Sequence, residues 1–418
     1  MIMQNKGKIF AWTLFDFANT AFYVIILTVG YPLYFKEVIT GNAPNSDFLW
    51  GMAFSISMLF VALISPLLGA IADYGAGKKK FLALFTILCI LATASLFFTG
   101  SSMIFWGIFL LILANIGFEA GLVFYDAFIP EITTERSYGR VSGYGFAMGY
   151  VGSLITLLLV IPLYEAGFEE ANLFNVRISF VLAAVLFLVF ALPIFIFVPD
   201  KQRKKKFEPE FFAQGYKRLK STFVDFKKYR NIAIFLAAYF LYIDGVNTVI
   251  IFSSIFARET LQMSFSEIIL LFIIVQTSAI IGSAIFGIIS DHIGHKKTLM
   301  ITLLLWIGIV TSAYFVKDVN VFYIIAAFAG ISLGSSQSIS RSMMSLLTPK
   351  EKKTEFFGFY SFFGKASAIL GPFLFGIISS LIDQRTAILT IAFFFIAGIL
   401  ILTKVNDPHY EKKLSGAN

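Results

Sequence analysis

The sequence predicts an all-α integral membrane protein whose twelve transmembrane helices form two six-helix bundles. Hydrophobic residues make up 58% and charged residues 14% of the 418 positions, whereas soluble domains average roughly 45–50% apolar and about 25% charged residues. Twelve apolar runs are each long enough to cross a bilayer, which takes about 20 residues of α-helix. Several motifs also occur twice, in the same order, in the two halves of the chain, which predicts that the bundles arose by duplication.

The twelve runs, numbered here as helices 1 to 12, are spread over both halves. The first run begins near Phe10 and is too long for the apolar part of a signal peptide, so it is predicted to span the membrane. In the first half the runs lie near residues 10–36, 48–72, 80–99, 103–128, 141–163 and 174–198. In the second half they lie near residues 231–256, 265–290, 298–316, 321–347, 354–381 and 385–404.

The distribution of positive charge predicts the orientation of the chain. Of the 33 Lys and Arg residues, 26 lie before helix 1, in or at the ends of the even-numbered loops or at the C-terminal end, whereas five lie in the odd-numbered loops; Arg341 and Lys365 lie within helices 10 and 11. Because loops rich in Lys and Arg stay in the cytoplasm, both termini are predicted to be cytoplasmic, and we expect the inner membrane of a bacterium. The same distribution explains the net charge of +8, which therefore does not indicate binding to nucleic acid.

The longest loop separates the two halves and sets the predicted domains. Residues 1–198 and 231–404 are the predicted bundles, residues 199–230 the linker and residues 405–418 a cytoplasmic tail. Apolar residues recur at helical spacing within the linker, with Lys and Arg between them. This pattern is typical of an amphipathic helix on the membrane surface, and we expect this helix to tether the bundles.

Helices 1 and 7 share one polar pattern. The stretch "FDFANT" occupies residues 15–20 and "IDGVNT" occupies residues 243–248, so Asp, Asn and Thr recur at the same spacing in two apolar runs. A lone charge at the centre of a bilayer costs at least about 2.5–3.5 kcal/mol. The presence of the carboxylate in both copies predicts a function for these residues.

Two further pairs of segments support the duplication. The stretch "GAIADYGAGKKK" follows helix 2, and "GIISDHIGHKK" follows helix 8. In helix 5, Gly143 and Gly149 align with Gly358 and Gly364 of helix 11. Two parallel six-helix halves around a central path are the sequence signature of a secondary transporter.

The loops after helices 2 and 8 resemble the hallmark motif of the major facilitator superfamily. Longer stretches, such as "WTLFDFANTAFYVIILTVGYPLYF" in helix 1 and "NIGFEAGLVFYDAFIPEI" in helix 4, are similar to its UMF1 branch, which includes vacuolar amino-acid effluxers of the Atg22 type. The resemblance covers nearly the whole chain. It implies the major facilitator fold, with helices 1, 4, 7 and 10 around a central cavity, and alternating-access transport of a small solute, with amino acids the leading class. The implied gate motif comprises Gly69, Asp73, Gly287, Asp291, Gly294, Lys296 and Arg140.

Polar side chains inside the apolar runs are the candidate functional residues. The predicted substrate-binding residues are Asp16, Asn19, Asn115, Glu119, Asp244, Asn247, Gln337, Arg341 and Lys365. A carboxyl group away from water favours its protonated form. The predicted proton carriers are Glu119, Asp16, Asp244 and Asp126, the last at a position where we expect Asn in many relatives. For each amide, hydrogen bonding between helices is the alternative, and Glu119 has the alternative of bracing helices as a neutral acid.

Asp244 and Lys365 are both predicted near the middle of the membrane, on helices 7 and 11. Two interpretations stay open for them. They form a permanent ion pair that reduces the cost of two buried charges, or they separate to bind the ammonium and carboxylate groups of a zwitterion or to exchange a proton.

The remaining features narrow the class of protein. The chain has one cysteine, Cys89, and its three His lie outside the apolar runs, so neither a metal site nor a cofactor is predicted. No phosphate-binding loop of ATP-driven pumps is present. The scattered carboxylates disfavour an intramembrane lipid-modifying enzyme, and the short loops disfavour a receptor. We expect a monomeric, proton-coupled transporter in the lipid bilayer; the open alternatives are an uncoupled facilitator and a peptide, sugar, phospho-compound or lipid as the solute.

Overall fold

The computed structural model describes residues 6–200, 210–224, 226–368 and 370–407, and these residues form an all-helical protein. Within them, twelve helices are long and apolar enough to cross a membrane, as the sequence predicts. In unbroken chain order, helices 1 to 12 span Lys6–Ile39, Ser46–Tyr74, Lys78–Phe98, Ile104–Ile132, Glu135–Tyr164, Glu170–Phe197, Lys227–Glu259, Glu267–Ile293, His295–Phe315, Val319–Leu347, Lys353–Leu381 and Gln384–Leu402.

The linker contains a further helix in the segment predicted to hold one. This linker helix, Glu210–Val224, is followed by a short 3₁₀ turn, Phe226–Tyr229, that leads into helix 7. Residues 201–209 of the predicted linker and residues 408–418 of the predicted tail lie outside the described part of the chain.

Internal contacts divide the chain into two compact units. Unit 1 comprises Met1–Phe128 and Met148–Tyr216, and unit 2 comprises Ile129–Ala147 and Lys217–Asn418. The start of helix 5 therefore groups with the second half of the chain. The domain boundaries at residues 198 and 231 stay a prediction.

In unit 1, aromatic rings join helix 1 to helix 4. The rings of Trp12 and Tyr125 stack with their centroids 4.5 Å apart, and each side chain donates a hydrogen bond to the carbonyl of the other residue, both 3.1 Å long. Farther along, the rings of Phe22 and Phe118 lie 5.0 Å apart. These contacts keep the polar residues of the two helices close to one another.

Helix 1 is irregular in its second half. It changes to π-helical turns at Tyr23–Val29 and again at Phe35–Ile39. Between them, Gly30 faces the hydroxyl of Tyr164, which would lie 2.0 Å from a methyl group at that position. Because π-helical turns inside α-helices occur frequently at functional sites, the start of this irregular segment is a candidate functional region.

In unit 2, small residues bring helices 8 and 10 into backbone contact. A methyl group on Gly282 would lie 2.2 Å from the carbonyl oxygen of Ile331, and one on Gly334 would lie 2.2 Å from that of Ala279. Small residues allow membrane helices to approach in this way, and close van der Waals packing then holds them together.

Helix 11 is interrupted, whereas the sequence predicts one helix over 354–381. Its two parts are Lys353–Ser367 and Leu370–Leu381. A proline ring clashes with the carbonyl of the residue four positions earlier. For Pro372 that residue is Ala368, the C-cap residue that directly follows the first part. The proline therefore accounts for the break.

Candidate solute-binding and gate residues

The Asp-x-x-Asn-Thr pattern of helix 1 packs against helix 5 in unit 1. Asp16 is buried, and its Cβ would lie 3.7 Å from a methyl group on Gly149. One turn later, the hydroxyl oxygen of Thr20 would lie 2.5 Å from a methyl group on Gly152. The Asp and Thr positions therefore share the helix face that meets the glycines of helix 5.

The matching pattern of helix 7 meets helix 11 in unit 2. Asp244 is fully buried, and its two carboxylate oxygens accept hydrogen bonds from the amide N–H of Gly371, at 3.0 and 2.8 Å. This amide belongs to the first turn of the second part of helix 11, where backbone N–H groups have no partner within the helix. A methyl group on Gly371 would lie 2.0 Å from the hydroxyl oxygen of Thr248. The carboxylate therefore caps the half-helix that the break creates.

Asp244 and Lys365 do not form an ion pair in this structure. The ammonium nitrogen of Lys365 donates to the hydroxyl of Ser361 at 2.5 Å, whereas Asp244 is held by the backbone of Gly371. Among the residues that the structure describes, no Lys or Arg nitrogen lies within 4.0 Å of the Asp244 carboxylate. The interpretation as a permanent ion pair is therefore not supported.

Two buried amides retain hydrogen-bonding capacity. Asn115 is fully buried and donates to the hydroxyl of Ser57 at 2.7 Å, but its amide oxygen has no hydrogen-bond partner in the described chain. Asn19 is 5% exposed, and its amide nitrogen likewise lacks a partner there. Since buried polar groups are generally paired, these two atoms are candidates for contacting a solute.

Glu119 lies on the same stretch of helix 4, half-buried. It is close enough to Tyr23 to interact with it electrostatically. Tyr23 is the first residue of the π-helical turn Tyr23–Val29, and its ring lies 6.5 Å from that of Phe118. The carboxylate therefore faces the irregular part of helix 1.

Arg341 is engaged with the start of helix 5, within unit 2. It is 2% exposed, and its guanidinium donates to the hydroxyl oxygen of Ser142 at 2.9 Å and to the carbonyl of Ser142 at 2.8 Å. The guanidinium also lies 4.0 Å from the centre of the Phe146 ring. In this structure Arg341 links two helices, a role that its sequence position alone does not reveal.

The other predicted membrane residues are less deeply buried. The half-buried side chains are those of Asn247, Gln337, Lys365 and Asp126.

Asp291, in the second copy of the gate motif, caps helix 5 within unit 2. Its carboxylate accepts hydrogen bonds from the amides of Gly139 (2.8 Å) and Arg140 (3.1 Å) and from the Nε of Arg140 (2.8 Å). A methyl group on Gly139 would lie 2.4 Å from the carbonyl oxygen of Gly287. An acidic residue at a helix N-terminus is favoured by both the free amides and the helix dipole. Asp291, Arg140 and Gly287 therefore form one tight contact.

The first copy of the gate motif, in unit 1, ends differently. Gly69 is buried in helix 2, and Asp73 is half-buried in a π-helical turn, Ala72–Ala76. Five residues after Asp73, Lys78 is fully buried, and its ammonium nitrogen donates to the carbonyl of Ala127 at 2.7 Å. The sequence does not single out Lys78, because a lysine in a basic loop is usually solvated.

In unit 1, Asp200, which follows helix 6, accepts a hydrogen bond from the start of helix 3. Asp200 accepts a hydrogen bond from the amide of Lys79 at 3.0 Å, and the Lys79 ammonium donates to the carbonyl of Val198 at 2.6 Å. Helix 3 follows Gly77, whose φ of +80° is a conformation that other residues adopt at a cost.

Unit 2 repeats this arrangement after helix 12. Asp407 accepts from the amide of Lys296 at 3.1 Å, and the Lys296 ammonium donates to the carbonyls of Thr403 and Val405, at 2.6 and 2.7 Å. Gly294 has a φ of +97°, matching Gly77. Lys296, predicted as part of the gate motif, thus contacts the segment that follows helix 12. Neither Asp residue is among the candidates predicted from the sequence. The Val-x-Asp pattern that recurs after helices 6 and 12 is a signal that could have identified both.

Within the described ranges, no group of three or more His, Cys, Asp or Glu side chains is arranged to hold a metal ion.

The chain and its fold are similar to known transporters. The family model described as "Vacuole effluxer Atg22 like" matches residues 45–413. The chain belongs to this Atg22-like family. It is 33% identical to YxiO, an uncharacterized MFS-type transporter of Bacillus subtilis (strain 168), over 95% of this chain and 94% of that protein. It is 23% identical to autophagy-related protein 22 of Yarrowia lipolytica (strain CLIB 122 / E 150), over 83% of this chain and 73% of that protein.

A solved structure shows the fold of this Atg22-like chain. The human organic anion transporter MFSD10 (TETRAN) superposes with a TM-score of 0.76 and 13% sequence identity, covering 95% of this chain and 99% of that one. The chain is therefore a multi-pass integral membrane protein with the major facilitator fold. It is a transporter of a small solute and not an enzyme.

Proposed function

We propose that this Atg22-like transporter moves a zwitterionic solute, with amino acids the leading class, by proton-coupled alternating access. We propose the bacterial inner membrane as its location, with both termini in the cytoplasm and the monomer as the working form. The description of the family as vacuole effluxers supports the movement of small solutes out of a compartment.

The observation that carries the proton coupling is the environment of Asp244. Its carboxylate is fully buried in a spanning helix and is held by the amide of Gly371 rather than by a cation. Intramembrane carboxylates without a counter-charge mark proton pathways in pumps and transporters. Protonation removes the charge and one acceptor from the group that caps the second part of helix 11, so it would weaken that contact. Asp16, Glu119 and Asp126 are the further candidates.

The groups of unit 1 suit a zwitterion. The amide nitrogen of Asn19 is a donor for a carboxylate, and the amide oxygen of Asn115 is an acceptor for an ammonium group, as is the carboxylate of Glu119. Helices 1 and 4 contact each other at Phe22 and Phe118, three residues after Asn19 and Asn115 respectively. Because one turn rises about 5.4 Å, all three polar groups lie within about a turn of that contact.

The contacts of Asp291 supply the candidate gate. This carboxylate holds the first turn of helix 5 through the amide of Gly139 and the amide and Nε of Arg140. Arg341 holds the next turn at Ser142. We propose that these hydrogen bonds form and break during the transport cycle. The substrate roles of Asn247, Gln337 and Lys365 belong to the same proposal.

The test begins with a thermal-shift screen of purified protein against amino acids, peptides, sugars and phospho-compounds. Uptake of any compound that stabilises the protein is then measured in liposomes, with and without a pH gradient. We expect an amino acid among the stabilising compounds and faster uptake with the gradient. Stabilisation by sugars or phospho-compounds alone would refute the zwitterion assignment.

Asp244→Asn is the decisive variant for coupling. It keeps the shape of the side chain but removes the proton-carrying group, so we expect uptake to lose its response to the pH gradient. The matched control is Asp47→Asn, because Asp47 is 79% exposed and pairs with Lys36 at the surface. An Asp244→Asn transporter that still responds to the gradient as the wild type does would rule out Asp244 as the proton carrier.

A further inference from the structure

The linker helix, Glu210–Val224, has two faces of different character. Arg218 and Thr222, one turn apart, lie on its protected face, and Thr222 is 5% exposed. The exposed side chains of the described linker helix include those of Tyr216, Lys217, Lys220 and Val224, which lie on the opposite face. The two faces therefore meet different surroundings.

The protected face holds the start of helix 11 within unit 2. The Nε of Arg218 lies 3.3 Å from a carboxylate oxygen of Glu355, and the hydroxyl of Thr222 donates to the other oxygen. Arg218 also donates to the carbonyl of Glu351. Lys352 adds a second positive charge 3.8 Å from Glu355. One carboxylate thus collects three partners from two segments.

This cluster fixes the rotation of the linker helix about its axis. The side chain of Glu355 is fully buried, and a buried carboxylate is strongly unfavourable unless cations and hydrogen-bond donors surround it. Releasing Arg218 and Thr222 would remove two of its partners at once. The exposed face therefore keeps one direction.

The linker helix ends close to the start of a membrane-spanning helix. Its last residue is Val224, and the spanning segment of helix 7 begins at Lys227, three residues later. Because an extended chain covers at most about 3.3–3.6 Å per residue, the end of the linker helix lies within about 10 Å of the first residue of that span. A helix that ends this close to the start of a spanning segment can contact lipid headgroups.

The composition of that face matches a negatively charged lipid surface. Tyr216 and Val224 are 62% and 75% exposed, so an aromatic and an aliphatic group stand free beside the ammonium groups of Lys217 and Lys220. Helices that lie in the headgroup region combine apolar groups with Lys in this way. Anionic lipids attract such lysines within a Debye length of the surface.

We propose that Tyr216, Lys217, Lys220 and Val224 form a binding surface for anionic phospholipid headgroups. On the opposite face, Arg218 and Thr222 hold the Glu355 carboxylate. The position of the linker helix therefore determines whether Glu355 keeps these two partners. Headgroup charge thereby favours the docked linker and steadies the first part of helix 11. Solute identity and proton coupling do not enter this inference.

The test is hydrogen exchange of residues 213–222 in full-length protein, reconstituted into nanodiscs of phosphatidylcholine alone or with phosphatidylglycerol. Wild-type protein is expected to exchange more slowly when phosphatidylglycerol is present. In the variant Lys217→Gln with Lys220→Gln, this extra protection is expected to fall by about fivefold for each lysine removed, the contribution of one lysine near an anionic surface.

The control is Lys317→Gln with Lys350→Gln, which removes two positive charges from exposed positions on other loops. It should keep the full wild-type response to phosphatidylglycerol. The proposal is overturned if the Lys217/Lys220 variant also keeps that response, or if phosphatidylcholine alone protects the linker equally well. Because all four lysines are exposed, every variant is expected to fold.

Discussion

The two copies of the Asp-x-x-Asn-Thr pattern each lie against a glycine of a neighbouring helix, but that helix is continuous in one half and broken in the other. In unit 1, Asp16 lies against Gly149 of helix 5, which is continuous from Tyr138 to Tyr164. In unit 2, Asp244 lies against Gly371 of helix 11, which is broken, so a backbone amide is available to the carboxylate. In both copies the Asp and Thr positions face a glycine, and in unit 2 the break in the neighbouring helix offers a backbone amide to the carboxylate.

The irregular member of each contacting helix pair also differs between the halves. Helix 1 contains two π-helical segments, and helix 7 is regular over Arg230–Glu259. Helix 5 is regular where helix 11 is broken. In each half, one member of the contacting pair is irregular and the other is straight. Backbone groups freed inside a membrane must find partners, and Asp244 supplies one of them in unit 2.

The largest expected effect is at the glycine that receives the carboxylate. In Gly371→Ala the methyl group would lie 2.0 Å from Thr248 and 2.8 Å from Asp244, so overpacking should lower the free energy of unfolding by about 1–3 kcal/mol. The matched control is Gly376→Ala in the same half-helix, where nothing lies within 4 Å. Thermal melting in detergent compares them; equal melting temperatures would contradict the close approach of helices 7 and 11.

The next effect tests what the halves share. Asp200→Ala and Asp407→Ala each remove a carboxylate that accepts the amide at the start of a helix, of Lys79 and of Lys296 respectively. Loss of such a cap lowers stability by about 0.5–2 kcal/mol. The two variants should melt at similarly reduced temperatures. A loss of stability confined to one variant would show that only one of the two carboxylates contributes to stability.

A double-mutant cycle between Asp244 and Lys365 should give a small value. The two side chains have separate partners, Gly371 and Ser361, so the changes Asp244→Asn and Lys365→Gln should be additive in stability. Independent sites add within about 0.3–0.5 kcal/mol. Melting of both single variants and the double variant gives the coupling; rescue of one change by the other would restore the ion-pair interpretation.

The smallest effect is expected at Gly149, the glycine that Asp16 faces in unit 1. In Gly149→Ala the nearest atom, a methyl carbon of Thr20, would lie 3.5 Å away, which is ordinary van der Waals contact. Stability should change by less than about 0.5 kcal/mol, as at sites without a specific destabilising mechanism. A loss as large as that of Gly371→Ala would mean that the two halves are equally tight and that the comparison fails.

The spanning helices could be predicted from the sequence because each is a local apolar run of sufficient length. The break in helix 11 could not. Pro66, Pro162 and Pro193 also lie in spanning helices and leave them continuous, so a proline alone does not identify a break. What distinguishes Pro372 is the freed amide of Gly371 and a carboxylate, 127 positions earlier in the chain, that accepts its hydrogen.

The candidate residues show the same limit. The polar side chains could be found by their contrast with apolar neighbours, but their partners could not. Arg341 contacts Ser142, which is 199 positions away, and Lys79 contacts Asp200. Such pairs depend on which helices the fold brings together, and no local pattern records that.

One pair of equivalent positions in the repeat carries opposite charges in the two halves. Arg140 lies three residues before Gly143, and Glu355 lies three residues before the equivalent Gly358. Arg140 pairs with Asp291, whereas Glu355 pairs with Arg218. An arginine at the Glu355 position would lie beside Arg218 and Lys352, where like charges repel. The segment that begins helix 5 therefore could not take the place of the one that begins helix 11 without losing this contact.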